Sequence, residues 1–241
     1  MKGRILYVLA LASIVLFSSC GSSGRKHRNE KAVTNVRTSK RKVGIDVKLS
    51  SNTEVMSGSE IFRRYNSAVF MVFTSDGYNA FQGSGFFVSS SGIAVSNYHV
   101  FRGTSIGLEI IKLSSGEELN IEEIVAKSVE DDFIIFKVTK KNKRKFNYIP
   151  IASKASLVGE KVYAIGSPRG LENTFSSGEI SQKRDNNIIQ ISVPIDHGSS
   201  GGALINSHGE AIGITSGGRD DSGANLNFAI DIKVIRRLLK E

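Results

Sequence analysis

Cysteine is almost absent from this chain. Cys20 stands alone among 241 residues, so no internal disulfide can form and the fold must be held by burial. The longest apolar run, residues 5–17, is too short to cross a bilayer comfortably as a permanent helix. The four histidines, His27, His99, His197 and His208, lack metal-ligand spacing, and the glycine-rich runs lack the Lys-Ser/Thr pair of a phosphate loop. Residues 217–221 do not follow a calcium-loop pattern. No metal and no other cofactor is therefore expected. Surplus charge is also missing from the part that could fold. Of 32 basic and 23 acidic residues, eleven and two lie in residues 1–48, leaving 21 of each sign elsewhere. The net charge of +9 describes a tail and argues against a nucleic-acid-binding face.

What is present divides into three parts. Residues 1–20 open with Lys2 and Arg4, continue through the apolar run and end in Ser18-Ser19-Cys20, which reads as a targeting segment. The cysteine after two small residues resembles a bacterial lipoprotein signal, with Phe17 where that motif favours leucine. The resemblance implies lipidation of Cys20 and membrane attachment through the lipid anchor; the alternative is a plain signal peptide with an incidental cysteine. Residues 21–56 are poor in aromatics and rich in Ser, Lys, Arg and Asn, the composition of a flexible basic tether. Its cations can lie against anionic headgroups or simply be solvated. A short strand is possible over residues 43–47.

Residues 57–241 form the third part, and 40% hydrophobic residues in the whole chain suit a globular core. Ser57-Gly58-Ser59-Glu60 has capping-box spacing and predicts a short helix carrying Ile61, Phe62 and Tyr65. Short strand-like segments follow over residues 68–74, 80–89, 93–96, 106–113, 121–127 and 133–138. After a basic connector at residues 140–145, a second series runs over residues 149–151, 161–166, 175–181, 188–192, 202–205, 211–216 and 226–230. Strands of this length between Gly, Ser and Asp turns predict an all-β architecture with room for two barrels. Residues 231–240 place Ile232, Ile235, Leu238 and Leu239 at helical spacing, predicting a closing helix.

The chemistry centres on His197-Gly198-Ser199-Ser200-Gly201-Gly202. A serine among glycines can attack a carbonyl while backbone amides, here those of Gly198 and Ser200, meet the developing oxyanion. Such a serine needs a histidine base and an orienting acid. His99 follows an alternating apolar run, and Asp132 opens an apolar strand, with Asp131 as its rival. Five blocks occur in one order: G-S-G-F-F-V at 83–88, S-N-Y-H-V at 96–100, D-F-I-I-F-K-V at 132–138, A-I-G-S-P-R-G at 164–170 and G-S-S-G-G-A-L at 198–204. The stretch from about residue 60 to 240 resembles the protease domain of HtrA/Deg-type, trypsin-like serine proteases.

That resemblance implies two six-stranded antiparallel β-barrels with short N-terminal and C-terminal helices. It implies a catalytic triad of His99, Asp132 and Ser200 between them, with Ser216 hydrogen-bonded to Asp132. The position of the acid that selects Lys or Arg in trypsin-like enzymes is Pro194 here, so an apolar pocket is expected, walled by Ile195, Ile214, Thr215, Ser216, Gly217, Leu226 and Phe228. Asp196 could instead favour a basic residue by turning inward, and His197 is the only candidate for reading an acidic one. The expected activity is endoproteolysis of polypeptides, mainly misfolded or unfolded exported proteins, at a bacterial membrane on its periplasmic or cell-surface side. A homotrimer is a possible assembly, and a PDZ domain is not expected within these 241 residues. The competing reading is a membrane-anchored binding or sensor module that keeps the protease fold but turns over little.

Overall fold

The computed structural model describes residues 47–104, 107–139, 144–167, 173–219 and 226–239. All lie within the compact unit of residues 42–241. The expectations for Cys20 and the rest of residues 1–46 lie outside the described residues.

Chain folding begins earlier than the capping box. Strand β1 (Leu49–Ser50) pairs in parallel with Ile151 and Ala152. The Asn52 N–H donates to Glu210 Oε1 at 2.8 Å, and the Met56 N–H donates to the Ser207 carbonyl at 2.8 Å. Met56 is buried. Residues 47–56, expected to be tether, are therefore anchored at several points, by backbone pairing, the Asn52 bond and buried Met56, while Thr53, Glu54 and Val55 stay exposed. Helix α1 (Gly58–Tyr65) follows with both capping-box bonds made. Ser57 N–H donates to Glu60 Oε2 at 2.7 Å, and Glu60 N–H donates to Ser57 Oγ at 3.3 Å. Its Ile61 and Tyr65 face the core.

Short segments rich in β-branched and aromatic residues then build two sheets. The first contains β2 (Val69–Ser75), β3 (Ala80–Phe87), β4 (Ile93–Ser96), β5 (Ile110–Leu113), β6 (Glu118–Leu119), β7 (Ile121–Ser128) and β8 (Phe133–Val138). Their order is β6-β5-β2-β3-β4-β8-β7, with every neighbouring pair antiparallel. The sheet curls around phenylalanines, with ring centroids 4.8 Å apart for Phe70 and Phe87 and 4.4 Å apart for Phe87 and Phe146. The all-β class is as expected; in this half only Asn120 parts β6 from β7, so one run of chain pairs with β5 at its start and with β8 beyond. Among the described residues no ladder joins its edges, and β6 is only two residues long. It is a half-barrel filled by aromatic rings.

The second half contains β9 (Ile151–Ala152), β10 (Lys161–Gly166), β11 (Thr174–Lys183), β12 (Ile188–Ile191), β13 (Ala203–Asn206), β14 (Ala211–Arg219) and β15 (Leu226–Asp231). Six of these run in the order β14-β13-β10-β11-β12-β15, and β15 pairs back onto β14. The barrel is closed, as expected. One continuous core joins the halves, with Val69, Phe86, Val95 and Ile135 from the first meeting Ile165, Ile205 and Ile214 from the second. Each of these side chains, fully buried, contributes on the order of 1.5–3 kcal/mol.

Helix α2 (Lys233–Leu238) starts late, with Lys233 N–H bonded to Asp231 Oδ1 at 2.9 Å. Its buried side chains are Val234 and Ile235; Ile232 is also buried, but as the N-cap residue. Leu238, expected on the inner face, is exposed. The helix is too short for the longer apolar stripe to form.

Candidate active site

The carbonyl of Asp132 draws the β4 end and the β8 start together. It accepts from Asn97 Nδ2 at 3.0 Å and from the Tyr98 N–H at 3.3 Å. A single 3₁₀ turn, Tyr98–Phe101, then presents His99. Asp132 itself has φ 49°, a left-handed conformation that aspartate adopts more readily than most residues. Its Oδ1 accepts the His99 backbone N–H at 2.9 Å, and its Oδ2 lies 2.8 Å from His99 Nδ1. An ionised carboxylate only accepts, so the imidazole proton belongs on Nδ1 and the lone pair on Nε2. Ser216 Oγ donates to the same Oδ2 at 3.3 Å. Its position follows from a break in register between Thr215 and Gly217 where β14 pairs with β15; such bulges re-aim side chains.

The serine loop is held by its carbonyls. Gly198 O accepts Ser84 Oγ at 2.7 Å, Ser199 O accepts Thr215 Oγ1 at 2.6 Å, and Ser200 O accepts the Ser84 N–H at 2.7 Å. Ser199 N–H donates to Asp196 O at 3.0 Å, and Gly198 has φ 93°, which makes residues 196–199 a type II turn. Among the described residues, the N–H groups of Gly198 and Ser200 make no backbone hydrogen bond and stay available as donors. Gly201 is required by space as well as by its φ of 92°: an added Cβ would lie 2.0 Å from Ser84 O.

Both halves meet at Ser200. A Cβ on Gly83 would touch the Val100 side chain at 2.7 Å and Ser200 O at 3.1 Å, so the turn carrying His99 and the serine loop pass close together there. Ser200 and Ser216 line one pocket of about 210 Å³, together with Ile195, Asp196, His197, Gly217 and Gly218. Among the described residues Ser200 Oγ makes no hydrogen bond to His99; such bonds are often long before substrate is bound.

The structure thus brings His99, Asp132, Ser216 and the loop of Gly198 and Ser200 together. Of the expected pocket walls, Ile195, Ser216 and Gly217 line the cleft. Ile214 and Thr215 do not: both are buried behind it, Thr215 holding the Ser199 carbonyl. Leu226 and Phe228 pair with Arg219 and Gly217 but are not on the described walls. The expected apolar lining is mixed, because Asp196 and His197 are exposed at the rim. Asp131 bonds elsewhere, to Ser128 and Asn187, and among the described residues makes no hydrogen bond to His99. His208 lies in the β13–β14 hairpin, its Nδ1 3.0 Å from the Glu54 carbonyl. Sequence reasoning missed Ser84 and Thr215 as supports of the serine loop. The G-S-G block at 83–85 carried the signal for Ser84.

Residues 83–214 match the family model described as trypsin-like peptidase domain, and the chain belongs to that family. Within it, the similar proteins are of the HtrA/Deg type. "Probable periplasmic serine endoprotease DegP-like" of Bartonella henselae is 34% identical over 174 residues, covering 66% of this chain and 33% of that protein. "Protease Do-like 1, chloroplastic" of Arabidopsis thaliana is 33% identical over 165 residues, covering 63% and 36%. The crystal structure of the serine endoprotease from Yersinia pestis superposes with a TM-score of 0.66 at 28% identity, covering 77% of this chain and 68% of that one. The chain spans about a third of the length of the curated relatives it matches.

Proposed function

We propose that the protein is a serine endopeptidase in which His99, Asp132 and Ser200 form the catalytic triad. The observation that carries this reading is the double grip of Asp132 on His99, through backbone and ring at 2.9 and 2.8 Å. His99 Nε2 takes the Ser200 proton as Oγ attacks the scissile carbonyl, and later returns it to the leaving amine. Asp132 stabilises the imidazolium formed in between. The N–H groups of Gly198 and Ser200 receive the oxyanion, and the acyl-enzyme is then released by water.

The type II turn at Gly198 and its outward-held carbonyls support turnover over the competing role of a binding or sensor module with a collapsed loop. The substrates are polypeptides, foremost unfolded or misfolded exported proteins, in keeping with the periplasmic endoprotease named above. Cleavage is expected after small or medium aliphatic residues, since Ile195 is the one large apolar side chain on the described walls and Gly217 and Gly218 keep part of the lining slim. Residues 1–20 would direct export, Cys20 would carry lipid, and the tether would hold the enzyme at a bacterial membrane. No helix of the described residues is long and apolar enough to cross one. A homotrimer is the assembly to test by sedimentation.

The experiment is to incubate the full chain with an unfolded exported protein and identify the new termini by mass spectrometry. Cuts after Val, Ile, Leu or Ala that vanish in Ser200→Ala support the proposal. No cleavage by a folded wild type refutes it, and cuts confined to Lys and Arg refute the pocket assignment.

A further inference from the structure

Asp132 keeps a left-handed backbone, which persists only where its surroundings over-determine it. The bonds to its carbonyl come from the first half of the molecule. A further hold comes from the second half, through the residue before it. Asp131 N–H donates to Ser128 Oγ at 3.0 Å, and Asp131 Oδ1 accepts from Asn187 Nδ2 at 2.6 Å. This is a charge-assisted bond across 56 residues of sequence.

Asn187 is itself firmly placed. It sits in the turn between β11 and β12 with φ 61°, beside Asn186 at φ 58°, and its carbonyl accepts the Asp231 N–H at 2.7 Å. Asp231 is buried and paired with Lys183 Nζ at 3.1 Å, which also donates to the Ser156 carbonyl at 3.0 Å. The turn is thus pinned to the closed barrel that carries Ser200. Ser216 of that barrel bonds the carboxylate of Asp132. The second half therefore holds the acid turn at two points, one on Asp132 and one on its neighbour.

We propose that Asp131 and Asn187 are positioning residues: a brace across the two halves that sets Asp132 and His99 in register with Ser200. The proposal rests on the peptidase reading above. Since a displacement of about 1 Å can cost on the order of a hundred-fold in rate, a brace that restrains a smaller shift is worth about ten-fold.

The test uses the full chain in detergent, fluorescein-labelled unfolded casein as substrate, and the rate of fluorophosphonate labelling as a direct measure of Ser200 reactivity. Asn187→Asp sets two carboxylates face to face; kcat and the labelling rate should each fall about ten-fold while KM changes less than about two-fold. The exchange Asp131→Asn with Asn187→Asp restores an amide-to-carboxylate bond with donor and acceptor swapped, and should return both rates to within about three-fold of wild type. A single variant as active as wild type, one that loses only thermal stability, or an exchange no better than the single variant would overturn the brace. If the single variant does not fold, the exchanged pair decides by its own rates. A folded wild type that neither cleaves nor labels is a separate result: it removes the peptidase reading, and the brace with it.

Discussion

Ser84 donates its hydroxyl to the carbonyl of Gly198 at 2.7 Å while its backbone N–H reaches the carbonyl of Ser200, also at 2.7 Å. One residue of β3 thereby holds two carbonyls of the serine loop whose amides are the proposed oxyanion donors. Ser84→Ala keeps the backbone bond and removes two made by the hydroxyl, its donation to Gly198 O and its acceptance of the Ser167 N–H at 2.9 Å. We expect kcat to fall about ten-fold, less than the loss of an oxyanion donor itself, and stability to drop by about 1–3 kcal/mol because the buried Ser167 N–H loses its partner. Steady-state kinetics and urea unfolding of the variant check both.

Gly201→Ala should be far more damaging. The new Cβ would lie 2.0 Å from the Ser84 carbonyl oxygen and 2.4 Å from Ser96 Oγ, at a φ that side chains rarely adopt. A loss of at least about 3 kcal/mol is expected. An unfolding midpoint equal to wild type would show that the loop is packed differently.

Much of the candidate site's geometry was legible because the residues that build it sit in local sequence blocks. His99, Asp132 and Ser200 each sit inside a block whose pattern of glycine, apolar and polar residues fixes a strand end or a tight turn. The pocket walls were less legible, since a strand's pleat and its bulges decide which side chain faces a cleft. Ile214 and Thr215 were read as walls but are buried behind the cleft, Ile214 in the core and Thr215 on the Ser199 carbonyl, and the slip of register at Ser216 cannot be read from residue types. Met56 and Asn52 are docked by tertiary contacts that composition does not reveal.

Ser216→Ala removes one of three hydrogen bonds to the Asp132 carboxylate and leaves both from His99 intact. The expected loss in kcat/KM is about ten-fold or less, as for a single neutral-to-charged bond of about 1.5 kcal/mol. A loss near that of Ser200→Ala would mean that Ser216 itself takes part in the chemistry.

Hydrogen bonds from the Ser57 side chain and backbone hold the Glu60 carboxyl below its usual pKa. A group with a lowered folded pKa adds stability above its unfolded value, about 4.3, and loses that contribution as the pH falls through the folded value. Wild type should therefore melt above Glu60→Gln at pH 7, and the gap should shrink as the pH is lowered below about 4. A gap independent of pH in thermal scans would contradict this origin.

Ser200 is proposed to be a nucleophile activated by His99. The most direct test is to treat the full chain with a fluorophosphonate probe beside Ser200→Ala and His99→Ala, and to map the adduct by peptide mass spectrometry. One adduct per chain on Ser200, absent from Ser200→Ala and slowed by several orders of magnitude in His99→Ala, is the predicted result. A folded wild type that stays unlabelled, or labels equally fast without His99, would contradict it.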